Sequence, residues 1–93
     1  MIAIVIEFEL RPGCRDGFVE RLRPDALETL GDHGCLRMEV LLPQGGGDRV
    51  LLSELWRDRA SIERHRAKPG HSHAWQEALI ASKRVTPCDV LQG

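Results

Sequence analysis

The chain has 93 residues, 42% of them hydrophobic and 29% charged, with a formal net charge of −1. That is the profile of an ordinary globular chain with a small core, and nearly balanced charge offers no electrostatic case for nucleic acid or an anionic membrane as partner. Three cysteines (Cys14, Cys35 and Cys88) stand far apart without metal-binding spacing and read as reduced thiols of a cytoplasmic protein, and no apolar run reaches the length of a membrane span.

Residues 2–10 alternate, with Ile2, Ile4, Ile6, Phe8 and Leu10 on one face and Ala3, Val5, Glu7 and Glu9 on the other, which predicts a strand. Arg11-Pro12-Gly13 is a turn. Residues 14–32 carry Phe18, Val19, Leu22, Ala26, Leu27 and Leu30 at helical spacing, but Pro24 lacks an N–H and should kink or split that helix. Residues 35–42 predict a second strand with Leu36, Met38, Val40 and Leu42 on one face. The three glycines within 43–48 invite a phosphate-loop reading. No lysine-serine/threonine pair follows and no helix opens there, so a hairpin loop is the better reading. Residues 49–57 form a third strand and 85–91 a fourth, where Pro87 suggests an edge or a bulge.

Residues 54–75 concentrate the chemistry: both tryptophans and three of the four histidines lie there. Glu54 and Trp56 are two apart at the end of strand three and share a face. Asp58 has the form of a helix N-cap. A short helix with Ile62, His65 and Arg66 follows and is broken at Pro69-Gly70. A further helix is then expected through Trp75, Ala78, Leu79 and Ser82. The order β-α-β-β-α-β predicts one domain over residues 1–93. Its class is α+β: a ferredoxin-like split βαβ unit with a four-stranded antiparallel sheet and its helices on one face.

Each singled-out residue has a structural reading beside the functional one. Trp56 is either a core indole or the wall of a slot for a flat aromatic ligand. Glu54, on the same face, either serves an ion pair or hydrogen bond or holds a tuned proton that orients His65. His65 either caps the short helix or acts as a base, since histidine titrates near neutrality. His71 and His73 are either solvated or near the slot. The histidines have no partnering carboxylate motif and the cysteines are distant, so a metal site is not expected.

The ordered set Glu54, Trp56, Asp58, Ala60, His65, Pro69 and His71 resembles the antibiotic biosynthesis monooxygenase family, small dimeric proteins that include quinol monooxygenases. Arg11-Pro12-Gly13 and Gly34-Cys35-Leu36 match two further marks of that family. The second histidine usually follows the proline directly, whereas Gly70 intervenes here. The resemblance implies a homodimeric α/β barrel closed by packing two sheets together. It also implies cofactor-independent oxidation, by dioxygen, of a small phenolic, hydroquinone or polyketide-type aromatic substrate. His65, Glu54 and His71 would be the catalytic candidates. Trp56, Trp75, Ile4, Ile6, Phe8 and Met38 would bind substrate. Two alternatives stand beside it: a non-catalytic small-molecule-binding or stress-response module, and a haem-handling protein. Haem-degrading relatives carry an asparagine where Ile6 stands, which argues against the last.

Overall fold

The computed structural model describes residues 1–70 and 73–93. Four strands, β1 (Ile2–Leu10), β2 (Cys35–Leu41), β3 (Arg49–Trp56) and β4 (Ile80–Asp89), alternate with two helices, α1 (Arg15–Leu30) and α2 (Arg59–Arg66). The strands form one antiparallel sheet in the order β2-β3-β1-β4, the α+β ferredoxin-like arrangement the element order implied.

Period-two alternation decides what each strand buries. Ile4 and Phe8 of β1 and Val50, Leu52 and Trp56 of β3 face the helices and are buried. From α1, Phe18, Leu22 and Ala26, four residues apart, close one cluster with Phe8, Leu10, Val50 and Leu52. From α2, Ile62 closes a second with Ile4 and Trp56. The opposite face of the sheet carries Ala3, Val5, Leu51, Ser53 and Leu55, each half-buried. Among the described residues no helix is long and apolar enough to cross a membrane.

Four local expectations change. First, α1 runs unbroken through Pro24. Pro24 and Glu20, the residue whose carbonyl loses its partner, are both exposed, so water can satisfy that carbonyl without breaking the helix. Second, Leu27 lies on the solvent side of α1 and is 72% exposed. Third, β2 contains a bulge. Cys35 pairs with Trp56 and Arg37 with Leu55, so Leu36 is the extra residue and is turned to solvent, while Cys35 takes its place against Ile4, Trp56 and Ile62. Fourth, the expected last helix shrinks to a single 3-10 turn, Ala74–Gln76, and β4 begins at Ile80. Residues 80–89 pair along the length of β1, with Lys83 opposite Phe8, Val85 opposite Ile6 and Pro87 opposite Ile4. This long ladder outweighs the weak helical spacing of Trp75, Ala78, Leu79 and Ser82. β4 is an edge strand, the position that tolerates Pro87.

Two features fix how α2 leaves β3. Asp58 caps the helix: its Oδ1 accepts the Ser61 backbone N–H at 2.8 Å and the Ser61 hydroxyl at 2.7 Å. Gly34, with φ of +88°, lies so close to Ser61 that a Cβ there would stand 2.0 Å from its Oγ. Only glycine meets both the backbone angle and the approach.

Two predictions come from this packing. Trp56 is fully buried, so Trp56→Ala should cost about 3–5 kcal/mol, read as a large loss in denaturant midpoint. The second concerns Asp58. The hydrogen bonds from the Ser61 hydroxyl and backbone, with Arg57 adding to them, lower its carboxyl from the usual 3.8 to about 2. A depressed folded-state value means a stabilisation that is complete above pH 4 and lost as pH falls towards 2. Asp58→Ala should therefore melt below wild type at pH 7, and the gap in melting temperature should narrow as pH drops from 4 to 2. A gap independent of pH would mean the carboxylate is not the stabilising group.

Candidate functional site

A cavity of about 530 Å³ opens between the sheet and the helices. Its floor is the helix-facing side of the sheet: Ile4, Ile6 and Phe8 from β1, Met38 from β2, Leu52 from β3 and Val85 from β4. One wall is the inner side of α1 around Leu22, Ala26 and Thr29. The other is the end of α2 with the turn after it, including Ile62, His65 and Pro69. The floor is largely apolar because every second residue of four strands meets there, and the polar groups enter from α1, from the end of α2 and from Glu54 and Lys83 of the sheet.

Glu54 and Trp56 stand side by side at the end of β3. The indole Nε1–H donates to Glu54 Oε1 at 2.8 Å. Burial pushes the Glu54 carboxyl above its ordinary range, against the opposing pull of the indole hydrogen bond and of His65, Arg66 and Lys83. The group is thus a carboxyl that holds its proton more readily than usual at the edge of an apolar slot. Behind it, the His65 ring lies 5.3 Å from the Trp56 ring at an interplanar angle of 39°. His65 occupies the last turn of α2, one turn after Ile62, whose burial fixes the helix against the sheet.

His65 has a partner that no sequence periodicity could supply. Its Nδ1 lies 2.6 Å from Oδ2 of Asp32, in the loop after α1, and Lys68 Nζ donates to the other oxygen, Oδ1, at 2.6 Å. Asp32 and His65 side chains are each 16% exposed. Burial would raise the Asp32 carboxyl, but the hydrogen bonds and charges of Lys68 and His65 outweigh it and hold the group below its ordinary range. Thirty-three residues separate Asp32 from His65, and Asp32 read only as part of a helix end. Lys83 was also unforeseen, because its segment was expected to begin as helix. From β4 it reaches into the cavity lining, its Nζ 3.3 Å from Gln76 Oε1 and 5.4 Å from the Phe8 ring centroid. Burial pushes its ammonium below the usual lysine range, and Glu54 opposes that shift.

The structure thus brings Ile4, Ile6, Phe8, Met38, Glu54, Trp56 and His65 to one cavity. Trp75 is elsewhere. It packs on Phe18 at 5.3 Å with the Arg21 guanidinium 5.2 Å from its ring centroid, and does not line the cavity. Its position follows from the missing helix: a 3-10 turn, not a continuing α-helix, sets the direction of its side chain. His71 lies outside the described residues, while His73 lines the cavity and lies 3.4 Å from Gln76 Nε2. Among the described residues no group of three His, Cys, Asp or Glu side chains is placed to hold a metal ion. Chemically, the site offers an apolar slot, an imidazole on a carboxylate, a carboxyl with raised proton affinity and an ammonium group.

No curated protein matches the sequence. Several solved structures share its fold. Protein PA3566 from Pseudomonas aeruginosa superimposes with a TM-score of 0.86 at 21% identity, covering 98% of this chain and 94% of that one. A candidate antibiotic biosynthesis monooxygenase from Deinococcus radiodurans gives 0.89 at 19% identity, over 100% and 95% of the two chains. Rv0793 from Mycobacterium tuberculosis gives 0.85 at 22% identity, over 99% and 96%. At these identities the likeness speaks for the fold. The family is carried by the sequence itself, which matches the antibiotic biosynthesis monooxygenase model over residues 1–78, from β1 through the 3-10 turn. The chain belongs to the antibiotic biosynthesis monooxygenase family.

Proposed function

We propose that the protein is a cofactor-independent monooxygenase that oxidises a small phenolic or hydroquinone-type aromatic substrate with dioxygen. The observation that carries this reading is the convergence of His65, Trp56 and Glu54 on one apolar slot of about 530 Å³. A flat ring would rest on half-buried Ile6 and Met38, with the buried side chains of Ile4 and Phe8 behind them, and the fully buried Trp56 backs the slot next to His65. His65 takes the phenolic proton. The resulting anion is electron-rich enough to pass one electron to dioxygen. The two radicals combine into a ring-carbon hydroperoxide, whose O–O bond breaks as water leaves and a quinone carbonyl forms. One oxygen atom ends in the quinone and the other in water, so atoms and electrons balance with substrate as the only reductant. The step asks the protein for a dry slot, a base and donors for a developing oxyanion. Lys83 is a donor already in that lining, Glu54 is a carboxyl that burial pushes above its ordinary range, and His71 remains a candidate from the family pattern.

The same reading gives the chain a second copy of itself as partner. The sheet face away from the helices bears Ala3, Val5, Leu51 and Leu55, and among the described residues no helix covers it. Packing two such faces together buries both and closes the barrel. Light scattering at micromolar concentration should give twice the 10.5 kDa chain mass, and Leu51→Asp with Leu55→Asp should halve it. A wild-type monomer at that concentration would reject the pairing.

The activity is tested on metal-stripped, flavin-free protein with hydroquinone substrates, under air and under nitrogen. Oxygen-dependent quinone formation is expected. His65→Ala should lower its rate by roughly 10²–10⁴-fold, the usual cost of losing a positioned general base. Binding of the same phenols without turnover would instead support the non-catalytic binding module. Full activity in His65→Ala would move the base to Glu54 or His71.

A further inference from the structure

The contact between His65 and Asp32 carries more than a tether. We infer that Asp32 is a positioning residue: it fixes the proton of His65 on Nδ1 and so makes Nε2 the basic nitrogen of the site. The inference rests on the proposed role of His65 as base.

The geometry supplies each step. Asp32 Oδ2 is 2.6 Å from His65 Nδ1. An ionised carboxylate only accepts hydrogen bonds, so the ring nitrogen facing it carries the hydrogen. Lys68 holds Oδ1 at 2.6 Å, which keeps the carboxylate ionised and stops it rotating away. Both members of the pair are largely sheltered from water, so their mutual orientation is not easily given up to solvent. The ring is held from a second side by Trp56, at 5.3 Å between centroids. With one nitrogen committed to Asp32 and one face against the indole, the imidazole has a single orientation at the cavity wall. Its lone pair is on the nitrogen remote from Asp32.

Among the described residues, the other charged groups near the imidazole do not replace Asp32. Glu54 already accepts the indole N–H of Trp56, and burial pushes its carboxyl above the ordinary range. Arg66, on α2, and Lys83, on β4, are cations and cannot accept a proton from Nδ1.

Asp32→Asn gives a sharp test because it keeps the shape and reverses the hydrogen-bond sense. Lys68 can donate only to the amide oxygen, so the amide NH₂ must face His65 Nδ1. Nδ1 must then be the acceptor, and the proton moves to Nε2, the nitrogen the base needs free of hydrogen. Nitrogen NMR of the protein, labelled at histidine and measured at alkaline pH, should show His65 as the Nδ1–H tautomer in wild type and as Nε2–H in Asp32→Asn. The variant should lose roughly 10²–10⁴-fold in kcat with KM close to wild type. Asp32→Glu, which keeps an accepting carboxylate, should restore the wild-type tautomer and part of the rate. An unchanged tautomer in Asp32→Asn overturns the inference whatever the rates. A changed tautomer with an unchanged rate, while His65→Ala is inactive, overturns the catalytic importance of the positioning. Full activity in His65→Ala removes the base assignment itself, and Asp32 then positions no reacting group.

Discussion

The hydrogen bond from the Trp56 indole to Glu54 is the point on which core and cavity meet. Trp56 is the largest fully buried side chain, and its ring closes the cluster of Ile4 and Ile62 that fastens α2 to the sheet. A buried indole N–H without an acceptor would cost free energy, and Glu54 removes that cost at 2.8 Å. The same bond aims the carboxyl along the sheet face towards the cavity. A packing requirement thereby places a proton-holding group at the edge of an apolar slot. Neither residue could move to another register, because a shift of one position would turn both to the opposite face.

Much of this was legible in the sequence. Alternation in residues 2–10 and 49–56 fixed which face of each strand meets the helices, and hence that Ile4, Phe8, Glu54 and Trp56 share a space. Asp58 was recognisable as a cap because an N-cap is a local device whose partners lie within one turn. What was not legible has a common cause. The bulge at Leu36, the shortened last helix and the early start of β4 all depend on pairing with strands distant in sequence. Lys83 and Asp32 went unnoticed for the same reason. Lys83 enters the cavity only because β4 pairs with β1 from Ile80 onward, and Asp32 meets His65 only because the loop after α1 folds against α2. Periodicity reports which face a residue takes. It does not report which loop will lie against that face.

The loop after α1 helps to define the site. Residues 32–34 touch the β3–α2 segment at three levels. Asp32 holds His65 at the end of α2, the Gly34 carbonyl accepts the Arg57 N–H at 2.8 Å, and the Gly34 backbone presses on Ser61 in the first turn. His33 adds an exposed contact, its Nε2 2.8 Å from Arg57 Nη2. These contacts grip both ends of a helix of eight residues, too short to be stable from its own hydrogen bonds. The helix therefore takes its position from the loop, from its Asp58 cap and from Ile62 beneath it. The imidazole at its last turn inherits that position. The direction in which the ring points is set by groups that also hold the fold. Changes to the short loop between α1 and β2, remote in sequence from the cavity, should therefore act on the imidazole as directly as changes within α2. The loop belongs to the site because its backbone fits only where glycine stands at position 34.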